Sequence, residues 1–200
     1  ALTRRGIRPD DGIYCTGPLG GGNAFAAAVL SGASERPSFM PTARVHEGRA
    51  LRSVATACMD TSDGLLATLD QLGRINNIGF ELQPEWEAFL GTGALSCARA
   101  MGLPPWLFLA GPHGEFELVF AVPDPGSAGG RSSLTLGGRT CPRIGRATAD
   151  DRIVLPGVGS FGASQRAAIR NLEPPDGGTI IAYVAKLMDI AAPAQYSTPS

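Results

Sequence analysis

Between Ser62 and Asn76 the aliphatic residues fall on one stripe. Leu65, Leu66, Leu69, Leu72 and Ile75 recur at three- and four-residue spacing, the repeat of a helix that buries one face. Such a helix needs an apolar surface to lie on, and the flanks offer strands. Ile78–Leu82 alternates as a strand, and Phe116–Val122, FELVFAV, reads as a strong one. Gly12–Thr16, Arg143–Ala147 and Ile153–Leu155 read as short strands. Ala24–Leu30, Val45–Val54, Ala163–Leu172 and Thr179–Ile190 read as further helices, with Val45, Leu51 and Val54 inward. Residues 84–109 read as helical pieces, and 31–43 and 124–133 as loops. Helices and strands mix without strict βαβ alternation, so the predicted class is α+β, helices packed on a mixed sheet. The last ten residues read as a disordered tail.

Composition narrows the function. Apolar residues make up 44% of the 200, enough for a core, while the net charge of −1 supplies no field to attract nucleic acid or an acidic membrane. Cys15, Cys58, Cys97 and Cys141 stand far apart with no CxxC pair, so they read as small buried residues of a reducing compartment. No signal peptide is visible, and the longest apolar stretch, Ala24–Leu30, is too short to span a bilayer. A soluble, cytoplasmic protein with a small-molecule partner is expected. The chain starts at Ala1 rather than at a methionine, which suggests a fragment.

Glycine is the compositional outlier: 27 residues, nearly twice the usual share of about 7%. Six of the residues from Gly17 to Asn23 are Gly17, Pro18, Gly20, Gly21, Gly22 and Asn23 itself, placed between the first strand and the helix that Asn23 could cap. A strand, a glycine turn and a helix in that order can cradle an anion on free N–H groups. The glycines follow no strict nucleotide fingerprint, so as a stand-alone signal this is weak and an ordinary glycine-rich turn is the commoner case.

Asp60-Thr61-Ser62-Asp63-Gly64 lies where the clearest helix begins. The aspartates could simply complement the helix dipole, with Ser62 as N-cap. The alternative is chemical. Mg²⁺ takes carboxylate oxygens and keeps waters and phosphate oxygens in its shell, while the Ser62 hydroxyl and nearby N–H groups could meet phosphate. Spacing alone leaves both readings open.

The surrounding sequence resembles a known family. Pro41, Arg44, Gly48-Arg49-Ala50-Leu51 and Asp60-Thr61-Ser62-Asp63-Gly64-Leu65 follow the proline- and arginine-containing loop, G-x-A-L helix and D-x-SDGL of the thiamine-monophosphate kinases. ALTRRGIRPDDGIYCTGPLG at the start, FELVFAVP at 116–123 and RIGRAT at 143–148 extend the match over residues 1–157. These kinases are part of the aminoimidazole-ribonucleotide synthetase-like superfamily. The resemblance implies a PurM C-terminal domain-like fold for residues 1–157, followed by a helical extension with its tail over 158–200. It implies that ATP phosphorylates thiamine monophosphate to the diphosphate with several Mg²⁺ ions. By this resemblance Asp60 and Asp63 bind metal, and Arg4 and Ser62 contact ATP.

The chain also departs from the family pattern. Pro112-His113-Gly114-Glu115-Phe116-Glu117-Leu118 stands where the family has GGEDYEL, so the substrate-contacting glutamate falls on Gly114 and Glu115 becomes its adjacent substitute. The GDSAAG turn is Gly20 to Phe25 here and lacks its acid, and the closing GYDHF is absent. Phe161 becomes the candidate aromatic against the substrate. The family's N-terminal half, which supplies most metal-binding aspartates and the homodimer interface, is not in this sequence, so the chain alone is expected to have little kinase activity. A related kinase with another phosphorylated substrate, an inactive binding or regulatory module, and an ATP-dependent ligase-type cyclisation stay as alternatives.

Overall fold

A computed structural model describes residues 2–124, 131–172 and 180–191. Its strands are β1 (Gly12–Cys15), β2 (Ala57–Asp60), β3 (Gly79–Leu82), β4 (Leu118–Val122), β5 (Ser133–Leu136), β6 (Arg139–Thr148), β7 (Ile153–Leu155) and β8 (Gly159–Phe161). The helices are α1 (Gly21–Leu30), α2 (Val45–Leu51), α3 (Leu65–Asn76), α4 (Thr92–Met101), α5 (Leu107–Ala110), α6 (Ala163–Arg170) and α7 (Ile180–Ala191). The strands form one mixed sheet in the order β2-β4-β1-β6-β3-β7-β8, with β5 paired to β6 beside it. All pairings are antiparallel except β3 with β7. This is the α+β class expected from the sequence.

Period-two alternation splits the sheet's side chains between two faces. Ile13, Cys15, Val119 and Ala121 join the larger core, together with Leu65, Leu66, Leu69 and Leu72 from the stripe of α3. Tyr14 and Phe120 point the other way, onto Leu51 of α2 and Leu136 of β5. Their rings stack with centroids 5.7 Å apart. Burying one such phenyl ring is worth about 1.5–3 kcal/mol, so both faces contribute. α3 ends at Asn77, whose φ of 55° is the left-handed conformation that stops many helices.

Several local expectations are corrected. Helix α2 stops at Leu51, and Val45 and Val54 are exposed while Leu51 is buried. Residues 143–147 are part of a ten-residue strand, because they pair with both β1 and β3. The boundary placed at residue 157 falls inside the β7–β8 hairpin, and α6 packs on the same core through Ile169. Thr179, most of the 124–133 loop and the tail expected to be disordered lie outside the described residues. Cys15, Cys97 and Cys141 are buried, Cys58 is partly so, and all four are free.

Candidate functional site

Strand β2 delivers Asp60 to the sheet edge opposite Leu118. The chain then turns through 61–64 before α3. That turn is held by the segment preceding β4. Thr61 N–H donates to the Glu117 carbonyl (2.8 Å), Glu117 N–H to Thr61 Oγ1 (3.1 Å) and Gly114 N–H to the Ser62 carbonyl (3.0 Å). Thr68 Oγ1 closes it from α3, donating to the carbonyls of Asp60 and Gly64.

The helix-cap reading of this motif fails. α3 begins at Leu65 with Gly64 as its N-cap, with no side-chain cap and no acid in its first turn. Ser62 is spent elsewhere: its Oγ donates to Asp60 Oδ1 at 3.0 Å. Asp63 is exposed, Asp60 and Ser62 partly so. Gly64 has a φ of 82°, and a Cβ there would overlap the Gly111 carbonyl oxygen, so only glycine fits between turn and helix. Neither carboxylate therefore caps α3, and both stand at a turn held by backbone hydrogen bonds.

Asn23 is not a cap either. It lies inside α1, buried, and its Nδ2 donates to the carbonyls of Phe108 and Gly111 while its Oδ1 accepts from His113 N–H. It fixes the 108–113 segment against α1. The glycine turn carries Gly20 at φ 82°, and the Gly20 N–H donates at 2.6 Å to Glu115 Oε1. The suspected anion cradle is thus occupied by the protein's own carboxylate. Thr61 Oγ1 donates to the other Glu115 oxygen at 3.3 Å. Glu115 is only 6% exposed. Burial pushes its carboxyl up to about 7, opposed by the Gly20 N–H and helped by the neighbouring Glu117 charge.

The residues singled out by the sequence do not all meet. Asp60, Ser62 and Asp63 share the turn, and Glu115 lies behind it, tying it to the glycine turn. Arg4 is exposed, and its carbonyl is bound by Asn76 at the far end of α3, roughly 18 Å of helix from the turn. Phe161 is 1% exposed and packs against Trp106 at 6.0 Å. It belongs to the core and shows no face to a ligand. Gly114 permits no side chain, since a Cβ there would overlap the Thr61 carbonyl oxygen.

Sequence reading missed the ion pair beneath the site. Arg44 Nε donates to Glu117 Oε2 at 2.6 Å and its Nη2 reaches Oε1, while Thr16 Oγ1 donates to Oε2 at 2.6 Å. Both side chains are at least nine-tenths buried, and the bond to Glu117 raises the Arg44 pKa. The signal was present as Arg44 and Glu117 within the family-like motifs, but nothing local shows that they touch.

Among the described residues no group of three or more His, Cys, Asp or Glu could hold a metal. Asp60 and Asp63 nevertheless fit a share of a Mg²⁺ shell, because that ion takes one or two carboxylates and keeps waters and phosphate oxygens. Asp60 Oδ1 is bonded to Ser62 while no hydrogen bond engages Oδ2 among the described residues. Beside the turn opens a cavity of about 420 Å³, walled by Phe25, Phe39, Ser62 and Phe116.

No family model matches the chain. A curated relative, the thiamine-monophosphate kinase of Halobacterium salinarum, is 38% identical over 130 residues, covering 61% of this chain and 41% of the relative. The chain spans less than half the length of the curated relatives it matches. Among solved structures, thiamine monophosphate kinase from Aquifex aeolicus superposes with a TM-score of 0.62 at 23% identity, over 78% of this chain and 53% of that one. AaThiL in complex with AMPPCP and TMP gives 0.61 at 22% identity, over 76% and 49%. At these identities the structural likeness establishes the fold.

Proposed function

We propose that this chain, which belongs by sequence to the thiamine-monophosphate kinase family, is the C-terminal part of an ATP- and Mg²⁺-dependent kinase that phosphorylates thiamine monophosphate or a close relative of it. The observation that carries this reading is the 60–64 turn, whose two aspartates are free of the helix and whose backbone is clamped on both sides. AaThiL, of the same fold, is known in complex with AMPPCP and TMP, which supports a nucleotide and a phosphorylated acceptor as the ligand pair.

In this reading Asp60 and Asp63 would hold Mg²⁺, which when bound neutralises charge on the phosphates. Ser62 holds Asp60 by the Oγ–Oδ1 bond, so the carboxylate keeps one orientation. The family motif assigns Ser62 and Arg4 to ATP; here the Ser62 N–H and hydroxyl both engage Asp60 Oδ1 and the Arg4 backbone is held at the far end of α3, so these two contacts rest on the motif alone. Glu115 is assigned a positioning role, since its oxygens join the glycine turn to Thr61. The remaining acids would come from the other half of the longer protein, which would also carry a homodimer interface. A cytoplasmic location accompanies the reading. No helix among the described residues is long and apolar enough to cross a membrane.

The test is phosphoryl transfer from ATP to thiamine monophosphate by the full-length protein, with and without Mg²⁺. Metal-dependent diphosphate formation supports the reading. One observation favours a second: Gly114 closes against Thr61 where the family carries a glutamate, as expected of a module that binds without catalysis. Stabilisation by Mg²⁺–ATP with no transfer to thiamine monophosphate would select that one.

A further inference from the structure

Three arginines converge on one carboxylate between α3 and α6. Asp70 of α3 has a side chain only 4% exposed. Arg74 Nε donates to its Oδ2 at 3.1 Å, Arg170 Nη1 bonds the same oxygen, and Arg166 Nη1 stands 3.6 Å from Oδ1. One negative charge thus serves three positive ones. Asp151 adds little, because its side chain is 72% exposed and stands 3.7 Å from Arg166 Nη2.

Arg166 is the member these pairs leave unsatisfied. Its side chain is 6% exposed, yet neither Nε nor Nη1 has a hydrogen-bond partner among the described residues. A separation of 3.6 Å is an ion contact without a hydrogen bond, and a buried guanidinium with open donors is costly. Arg166 and Arg170 line a slot of about 10 Å³, room for one water at most. Ala67, Ile169 and Arg170 line both this slot and a larger cleft of about 220 Å³. Gln71 and Arg74 stand on the α3 side of the cleft and Arg170 on the α6 side. Arg74 and Arg170 each spend a single nitrogen on Asp70, and no hydrogen bond engages their other guanidinium nitrogens among the described residues.

We propose that the cleft between α3 and α6 is a site for a small phosphate-class oxyanion, held by Arg74 and Arg170 and attracted by the unbalanced charge of Arg166 behind them. A guanidinium fork matches two oxygens of a phosphate, so the two arginines can grip one ion from opposite walls. The volume of about 220 Å³ lies below the roughly 300–1,000 Å³ of sites for larger ligands. It suits inorganic phosphate or a compact monoester. The site stands apart from the 60–64 turn. Asp63 lines the other end of the cleft, roughly 15 Å along α3 from Arg74, beyond the screening length of about 8 Å at physiological salt. Arg166 and Arg170 follow residue 157, where the likeness to the kinase motifs ends. The site needs no metal and does not depend on the kinase reading.

The experiment is calorimetric titration of the 200-residue chain with inorganic phosphate, with phenyl phosphate and with acetate. A chelator is present, so that no Mg²⁺ bridges an anion to Asp60 or Asp63. Phosphate binding that weakens with added NaCl is expected. Tighter binding of phenyl phosphate identifies a monoester as the occupant, and the reverse order identifies the free ion. Arg74→Gln, at a half-exposed side chain, and Arg170→Gln should each weaken binding about tenfold or more, while Arg74→Lys keeps part of it. Thermal melting without ligand shows that the variants fold. A cluster that only ties α6 to α3 would lose melting temperature in these variants with no change in phosphate affinity. The proposal is overturned if neither phosphate compound binds at millimolar concentration, if acetate binds as well as phosphate, or if both glutamine variants bind as the parent does. Phosphoryl transfer by the full-length protein tests the kinase reading separately, and its failure leaves this site standing.

Discussion

Gly114 lies so close to Thr61 that a Cβ at 114 would overlap the Thr61 carbonyl oxygen, and the Gly114 N–H is bonded to the Ser62 carbonyl next to it. The segment before β4 and the turn before α3 are thereby locked face to face. The overlap is with backbone, so no rotamer relieves it. Gly114→Ala should destabilise the chain by about 2–4 kcal/mol, read by urea denaturation. A change below about 0.5 kcal/mol would mean that the two segments separate freely.

Arg44 and Glu117 form a buried pair whose loss leaves an uncompensated charge. Arg44→Ala should cost about 3–5 kcal/mol. Replacing both members with apolar residues of similar volume, Arg44→Met with Glu117→Leu, should recover much of that loss, although Thr16 Oγ1 then loses its acceptor. A double-mutant cycle checks it, and strictly additive losses would show that the pair is not coupled.

Glu115 makes stability depend on pH. Its folded pKa, about 7, is raised above the ordinary 4.5 by burial, so the folded state keeps a proton that the unfolded state has released. The contribution is complete below about pH 4.5 and is lost as pH rises toward 7. The full span is worth up to roughly 3 kcal/mol. Denaturation midpoints of the parent should therefore fall between about pH 5 and 7.5 relative to Glu115→Gln. Parallel pH profiles for the two proteins would contradict the assignment.

Asp60→Asn keeps the shape that accepts the Ser62 hydroxyl and removes the charge. Stability should change by less than about 1 kcal/mol. In the full-length protein, metal-dependent transfer should drop roughly a hundredfold or more, as should that of Asp63→Asn. Kinetics across a Mg²⁺ titration give the answer, and unaltered activity would remove these residues from the metal shell.

Phe161→Ala tests core against site. The ring is 1% exposed against Trp106, so truncation should cost about 3–5 kcal/mol. With the protein kept folded at low temperature, the KM values for both substrates should stay near those of the parent. A large rise in the acceptor KM with intact stability would restore Phe161 to the substrate site.

The sequence by itself determined the class of fold, the stripe of α3, a strand within 116–122 (which the structure starts at Leu118) and the family of the turn, because each rests on spacing within one segment or on a contiguous motif. The uses of Asn23, Ser62 and Glu115 were not legible in that way. Each had a plausible local role, as cap or ligand contact, and each is instead bonded to a segment up to 95 residues away in the chain or to its own turn. Only the tertiary structure decided that Glu115 fills the glycine turn, that Arg44 reaches Glu117 and that Phe161 is core while Phe116 faces a cavity. The reason is physical. Periodicity records which face of an element is buried, whereas a hydrogen-bond partner is chosen by which chain ends the sheet order brings side by side.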